Sequence, residues 1–306
     1  MREFHLLSKV YEHNAALGAR VIIPPGDDMG MVRLGGVDVL AAVDQIVQGR
    51  HFDLETTPLR LVGRKAITRN LSDIAAMAAR PVAALAAVVL PRSWRESQAL
   101  ELFEAMRDTA QQYDCPLIGG DISMADAPLV CSVTVLARPG PRGAILRSGA
   151  RAGDVVYVSS MLGGSVEPDG GGKHLTFEPR IDLALALAER FDLHAMIDIS
   201  DGLGRDAGHI AEMSDVQIVI DAAMVPCSPG CDWRRAMSDG EDYELCFTAA
   251  ADAAMPAELL GVPLTRVGIV AARSGDGPCV VVRDGGRETD ASHLGWEHDG
   301  PETQSP

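Results

Sequence analysis

The sequence predicts a two-domain α+β protein built of mixed α/β layers, and three observations carry that expectation. Stretches with helical spacing of apolar residues alternate with short β-branched or apolar runs in both halves of the chain. The Pro/Gly-rich stretch Arg138-Pro139-Gly140-Pro141-Arg142-Gly143 separates those halves. A length of 306 residues, 47% of them apolar and 23% charged, suits globular units whose cores need neither disulfides nor structural metal. The expected division is an N-terminal domain over 1–137, a C-terminal α/β domain over 138–298 and a polar, proline-containing flexible tail over 299–306.

Element by element, residues 3–17 read as a short amphipathic helix ended by Gly18. Val21 to Ile23 is a brief strand running into the forced turn Pro24-Pro25-Gly26. Val37 to Asp44 is β-branched and apolar, which suits a buried strand that ends on its aspartate. Thr57 to Ala79 reads as a helix stopped by Pro81, followed by a buried strand from Val82 to Leu90. Glu96 to Tyr113 has helical periodicity, and Leu129 to Leu136 is a strand. Beyond the linker come a strand over Val155 to Ser159, a glycine-rich segment over Gly163 to Gly172, and a helix over Glu178 to Arg190. A strand over Ala195 to Ile199 and a helix over Gly202 to Met213 precede several shorter elements.

Composition narrows the function classes. A formal net charge of −16 argues against nucleic acid or an anionic membrane as partner. The longest apolar run, Val82 to Leu90, is about half of a membrane span. Six cysteines without a secretory signal suit reduced thiols in the cytoplasm. Cys227 and Cys231 have no second pair or nearby histidine to complete a zinc set. No Walker A loop, no GxGxxG opening a helix and no GxSxG elbow is present, so phosphate binding must work differently.

What recurs is an aspartate beside glycine or at an element boundary: Gly26-Asp27-Asp28, Val43-Asp44, Asn70-Leu71-Ser72-Asp73, Gly119-Gly120-Asp121, Asp198-Ile199-Ser200-Asp201-Gly202 and Asp239-Gly240-Glu241-Asp242. Hard carboxylate oxygens suit Mg²⁺, which takes one or two of them and completes its shell with water and phosphate oxygens. Metal ions bridging aspartates to a triphosphate would supply the positive field that an acidic chain lacks. Any single Asp-Gly pair also reads as a plain turn, and Asp201 as a plain N-cap. Asp44 and Asp73 fit those readings poorly. The first ends an apolar run with no turn residue after it, and the second lies in an apolar helix beside Leu71, Ile74 and Met77, where an unpaired carboxylate is costly. Asp198 and Ser200, two apart at a strand end, precede a helix start at Asp201 whose amides can face a phosphate.

Taken in order, these segments resemble the thiamine-monophosphate kinases of the aminoimidazole-ribonucleotide-synthetase-like superfamily. Further matching pieces are Gly49-Arg50-His51-Phe52, Lys65-Ala66, the run Arg147 to Asp154, Pro179-Arg180, Gly240 to Leu245 and Gly295-Trp296-Glu297-His298. The resemblance implies that superfamily's two-domain fold and a homodimer whose core is the N-terminal sheet, with ATP near the interface. It also implies direct transfer of the γ-phosphoryl group to thiamine monophosphate. By the same resemblance Asp28, Asp44, Asp73, Asp121, Asp198 and Asp201 hold magnesium ions. Gly120, Asp121, Arg147 and Ser200 contact ATP, and His51, Glu241 and Trp296 line the thiamine phosphate pocket. No general base is required, because the acceptor phosphate is already ionised at neutral pH. The chain departs from the family at Ala42, Val43, Gln45 and Ile122, where hydroxyl residues are usual, and in a shortened 163–178 loop. Those departures leave two other expectations standing: a paralogue using ATP on another small phosphate, carboxylate or amide, and a non-catalytic nucleotide-binding regulator.

Overall fold

Period-two burial along strands of the first sheet and one buried face on each long helix decide what packs on what. The computed structural model describes residues 3–12, 14–275 and 277–297, so the expected tail and His298 lie outside the described residues. Strands β1 (Val21–Ile23), β2 (Gly30–Leu34), β3 (Val37–Val47), β4 (Ala79–Pro91), β5 (Leu117–Ala125) and β6 (Val130–Pro139) form a sheet in the order β1-β2-β3-β6-β4-β5. Helix α1 (Glu3–Tyr11) precedes it, and α2 (Leu59–Ala76) and α3 (Glu96–Gln112) pack together. The pair β4–β5 is parallel, joined by α3 as the crossover.

A second sheet follows residue 154. It contains β7 (Val155–Ser159), β8 (Leu193–Ile199), β9 (Val216–Asp221), β10 (Glu244–Ala249), β11 (Glu258–Leu259), β12 (Val262–Ala272), β13 (Val280–Asp284) and β14 (Arg287–Asp290). Its order is β14-β13-β9-β12-β7-β10-β8, with β11 paired to β12. Four helices accompany it: α4 (Lys173–Thr176), α5 (Ile181–Arg190), α6 (Leu203–Ser214) and α7 (Trp233–Ser238).

Helix α2 joins the two layers. Val62, Ile67, Leu71 and Ile74 on it are fully buried, and one core cluster runs from Leu40 and Val133 of the first sheet through them to Leu187 of α5 and Phe247 of β10. A second cluster lies beneath α6, with Leu203 and Ile210 against Ile197 and Ile218.

Several boundaries differ from expectation. The first helix ends at Tyr11 rather than 17. β3 continues three residues past Asp44 to Val47, because β6 pairs with it as far as Val130. The long helix stops at Ala76 and Ala78 turns with φ 48°, so Pro81 sits inside β4 instead of ending a helix. Proline has no N–H for the ladder, and the β4–β6 register shifts between Pro81 and Ala83. Arg138 and Pro139, expected in the linker, still belong to β6. The turn expected at Gly119-Gly120-Asp121 is the middle of edge strand β5. A Cβ on Gly120 would stand 1.9 Å from the Ala86 carbonyl oxygen, so glycine here permits a close backbone approach.

Gly63 sets the α2–α3 crossing, since a Cβ there would meet the Ala105 Cβ and the Leu102 carbonyl oxygen at 2.8 Å. Gly63→Val should lower the unfolding free energy by about 1–3 kcal/mol, the usual magnitude for overpacking. Unchanged chemical denaturation would refute the close crossing.

Candidate functional site

Three carboxylates from distant parts of the sequence meet where α2 ends near the second sheet. Asp28, in the turn after β1, Asp73 on α2 and Asp198 on β8 each offer an oxygen within 4.8 Å of the others. Burial and repulsion from Asp44, Asp198 and Asp28 push the Asp73 carboxyl well above the usual range. Burial, then Asp28, pushes Asp198 up to about 7, although Ser72 Oγ donates to its Oδ2 at 2.6 Å. Asp28 is almost wholly buried; its Oδ1 accepts from Arg147 Nη2 at 2.7 Å, while its Oδ2 is buried without a partner. An orphaned carboxylate oxygen among mutually repelling acids is what a hard divalent cation satisfies, so these residues fit Mg²⁺. Adjacent Asp27 serves the backbone instead, accepting from the Arg147 amide at 3.2 Å.

A second group, Asp201, Asp206 and His209, lies on the other side of the β8–α6 junction. Asp206 Oδ2 accepts from the amides of Asp201 and Gly202, both at 3.0 Å, and so organises the turn that ends β8. Burial, Arg147 and Arg205 lower His209 to about 3, keeping it neutral. Neither Asp206 nor His209 is part of a recognisable motif, so neither stands out in the sequence.

Beside the carboxylates opens a cavity of about 450 Å³. Its lining includes His51, Ser200, Asp201, Glu241 and Trp296, which unites the three expected acceptor-pocket residues. The turn from Gly240 to Tyr243 builds one wall with two non-glycine residues at positive φ, Glu241 at 58° and Tyr243 at 52°. The Trp296 amide donates to the Asp201 carbonyl at 2.8 Å, fixing the C-terminal segment across the opening. Val47 N–H donates to His51 Nδ1 at 3.0 Å, which leaves the ring proton on Nε2.

Lys65 of α2, fully buried, holds this wall together. Its ammonium donates to the His51 carbonyl at 3.0 Å, to His174 Nδ1 at 2.7 Å and to Glu241 Oε2, and so satisfies all three N–H bonds. An ammonium only donates, so His174 Nδ1 is an acceptor and its Nε2 donates to the Gly170 carbonyl at 3.2 Å. Despite burial, the cations Lys65 and Arg69 hold Glu241 below the usual carboxylate range, a fixed anion. His174 comes from the shortened loop, which Asp242 anchors by accepting from the Gly163 amide and Ser165 Oγ. Lys65 belongs to a matching segment but carried no assigned role, and His174 was not singled out.

Other expected residues fall elsewhere. Asp44 accepts from Arg69 Nε at 2.5 Å, and its amide donates to Asn70 Oδ1 at 2.9 Å. Ser200, expected at ATP, lines the same cavity as His51, Glu241 and Trp296. Gly120 and Asp121 lie on the exposed edge strand, and Asp121 enters neither carboxylate group. Register explains this: Asp44, Val133, Ala86 and Gly120 form one row across the sheet, and Gln45, Ser132, Ala87 and Asp121 the next. Adjacent rows face opposite sides, so Asp121 projects from the face away from Asp44. Ala42, Val43, Gln45 and Ile122 do not line the cavity, whereas the 163–178 loop does, through Val166, Gly170 and His174. Among the described residues Cys227 and Cys231 enter no group of metal-ligating side chains.

Comparison with known proteins places the chain among relatives. Residues 26–138 match the family model "AIR synthase related protein, N-terminal domain". The chain is 36% identical to the thiamine-monophosphate kinase of Rhodopirellula baltica over 276 residues, covering 84% of this chain and 85% of that protein. It is 34% identical to the thiamine-monophosphate kinase of Escherichia coli K12, covering 97% and 98% of the two. Its structure resembles that of AaThiL complexed with AMPPCP and TMP, with a TM-score of 0.81, 28% identity and 97% of both chains covered. A hydrogenase maturation protein HypE from E. coli, with a TM-score of 0.70 but 16% identity, shares the fold alone. Identity at this level along nearly the full length of curated relatives makes the chain a member of the thiamine-monophosphate kinase family.

Proposed function

We infer that the protein transfers the γ-phosphoryl group of ATP to thiamine monophosphate, giving thiamine diphosphate and ADP. The observation that carries this reading is the junction of the Asp28–Asp73–Asp198 group with a cavity holding His51, Glu241 and Trp296. Relatives named for this activity, and a similar structure complexed with AMPPCP and TMP, support it.

The chain's own groups divide the work. Trp296 supplies an aromatic face for a planar ring. Glu241, locked as an anion by Lys65, faces the cationic heteroaromatic part of the acceptor. His51 presents its Nε2 proton, and Arg147 brings a permanent cation to the carboxylates. Mg²⁺, when bound, would neutralise charge on the transferring phosphoryl group; Asp28, Asp73 and Asp198 would hold it. The resemblance adds Asp44, Asp121 and Asp201 to the metal set, and Gly120, Asp121, Arg147 and Ser200 to the ATP contacts. No proton need leave the acceptor, so catalysis is positioning and charge neutralisation.

We also propose a homodimer closed over the open face of the first sheet. Val43 and Leu85 leave that face exposed in one protomer, and β5 offers Ile118, Ile122 and Met124 at an unpaired edge. Asp121 projects from the same open face, so pairing of two copies would carry it toward the partner. The cytoplasm is the proposed compartment: all six cysteines are free, and no described helix is long and apolar enough to cross a membrane. The net charge of −16 speaks against nucleic acid as a partner.

Incubation of purified protein with Mg²⁺, ATP and thiamine monophosphate should yield thiamine diphosphate; its absence at high enzyme concentration, with ATP still bound, would overturn the acceptor. Asp73→Asn or Asp198→Asn should reduce turnover by at least about 100-fold, the scale of a lost electrostatic contact, while circular dichroism stays unchanged. Without cation, Asp198 keeps its proton up to about pH 7 in the folded state, against 3.8 for an ordinary aspartate. Its contribution therefore favours folding at low pH and is lost as pH rises through about 7. Mg²⁺ must displace that proton, so it should raise the melting temperature more at pH 8 than at pH 6; equal shifts would count against this metal site. Val43→Asp should convert dimers to monomers in light scattering without unfolding the protomer.

A further inference from the structure

Lys65, Arg69 and Asp73 stand four residues apart on α2, in steps of about 6 Å along one face. The stripe begins at the acceptor pocket, where Lys65 holds Glu241, and ends in the carboxylate group, where Asp73 meets Asp28 and Asp198. Arg69 lies between, in the cavity lining. An acceptor whose organic part rests against Trp296 and Glu241, and whose phosphate must reach the metal-binding carboxylates, crosses the level of Arg69.

The hydrogen bonding at that level is incomplete. Lys65 is fully matched by Glu241, His174 and the His51 carbonyl. Arg69 is matched only on one edge: Nε donates to Asp44 Oδ2 at 2.5 Å, while Nη1 is buried without a partner. A guanidinium carries five N–H donors in a rigid fork, and an unsatisfied buried donor is costly. Its second edge suits a phosphate oxygen. Asp44 is placed to aim that fork, because its own amide is tied to Asn70 on the next residue of α2. This position carried no assigned role in the sequence, where Arg69 precedes the matching Asn70-Leu71-Ser72-Asp73 run without standing out.

We propose that Arg69 recognises the phosphate of the acceptor and that the Asp44 carboxylate orients its guanidinium for that contact. The proposal rests on the thiamine-monophosphate reading above and adds its specificity for the phosphorylated form. Arg69 thereby gives the cavity a fixed cation at its phosphate end, independent of any bound metal, while Glu241 gives it a fixed anion at its heteroaromatic end.

The test is calorimetric titration of the full chain with thiamine monophosphate and with unphosphorylated thiamine, in EDTA so that metal plays no part. Wild type should bind the phosphate ester at least about tenfold tighter, a difference of about 1.4 kcal/mol. In Arg69→Met that preference should fall to near unity, with thiamine affinity and the KM for ATP within about twofold of wild type. Arg69→Lys, which keeps the charge without the fork, should restore part of the preference, and Asp44→Asn should lose part of it. An Arg69→Met protein that is folded by circular dichroism and retains the wild-type preference overturns the role of Arg69. Asp44→Asn with an undiminished preference overturns the orienting role. Wild type that binds neither compound overturns the acceptor reading, and this inference with it. A collapse of affinity for thiamine as well as its phosphate in both Arg69 variants would make Arg69 a structural residue and reject the proposal.

Discussion

Burying charge inside a helix that joins two sheets is the constraint on which the rest of this structure depends. Helix α2 packs its apolar residues into the core that both layers share, yet it also carries Lys65, Arg69 and Asp73 along one side. Each of those charges would be expensive to bury alone. The fold therefore has to bring compensating groups to α2 from far along the chain: Glu241 and His174 to Lys65, Asp44 to Arg69, and Arg147 to the carboxylates around Asp73. Packing sets where the helix lies, and charge compensation sets which loops must come to it. The cavity beside them is the space those loops enclose.

The compensation is unequal from one end of the stripe to the other, and the inequality gives the site direction. Lys65 has every donor satisfied, so its end is rigid and fixes the ionisation of Glu241 and the tautomer of His174. At the far end three carboxylates face one another with one oxygen unmatched, so that end is poised to take up a cation. The rigid end also holds backbone strain, with Glu241 and Tyr243 both at positive φ. Stacking of Tyr243 on Phe177, with ring centroids 4.0 Å apart, and the Glu241 amide donating to the Ser200 carbonyl at 2.7 Å hold that turn in place. A turn strained in this way keeps its shape only because the surrounding packing over-determines it.

Much of the site could be read from the sequence for a local reason. Asp73 stands out because a carboxylate in an apolar helix contradicts its neighbours, and Asp198 because it ends a buried strand that leads into a helix. Both conflicts are local, and both residues meet in the carboxylate group. Lys65, Arg69, His174 and Asp206 were not singled out because basic or polar residues at those places look like the solvated face of a helix. What sets them apart is a partner the local sequence does not show: more than 100 residues away for Lys65 and His174, 25 residues away for Arg69, and the backbone amides just before the helix for Asp206. The alternation of helices and strands gave the layer architecture, but strand ends were hard to read. β3 runs past Asp44 and β5 runs through Gly119-Gly120-Asp121, because ladder pairing with β6 and β4 outweighs the turn propensity of Asp and Gly.

That last misreading bears on how the metal site is completed. As a turn, Gly120-Asp121 could point its carboxylate wherever the loop allowed; as part of a strand, it cannot. The register that aligns Asp44 with Gly120 and Gln45 with Asp121 assigns the two aspartates to opposite faces of one sheet. A pleated strand has no means of turning a single side chain to the other face short of a bulge, and β5 has none between Gly119 and Ala125. Asp121 and Asp44 therefore cannot ligate one ion in one protomer. If Asp121 serves a phosphate or a metal, that ion belongs to the face on which Val43 and Leu85 lie exposed, and the protein surface that completes it is the one that covers them. Period-two geometry thus ties the question of dimerisation to the chemistry of a single carboxylate.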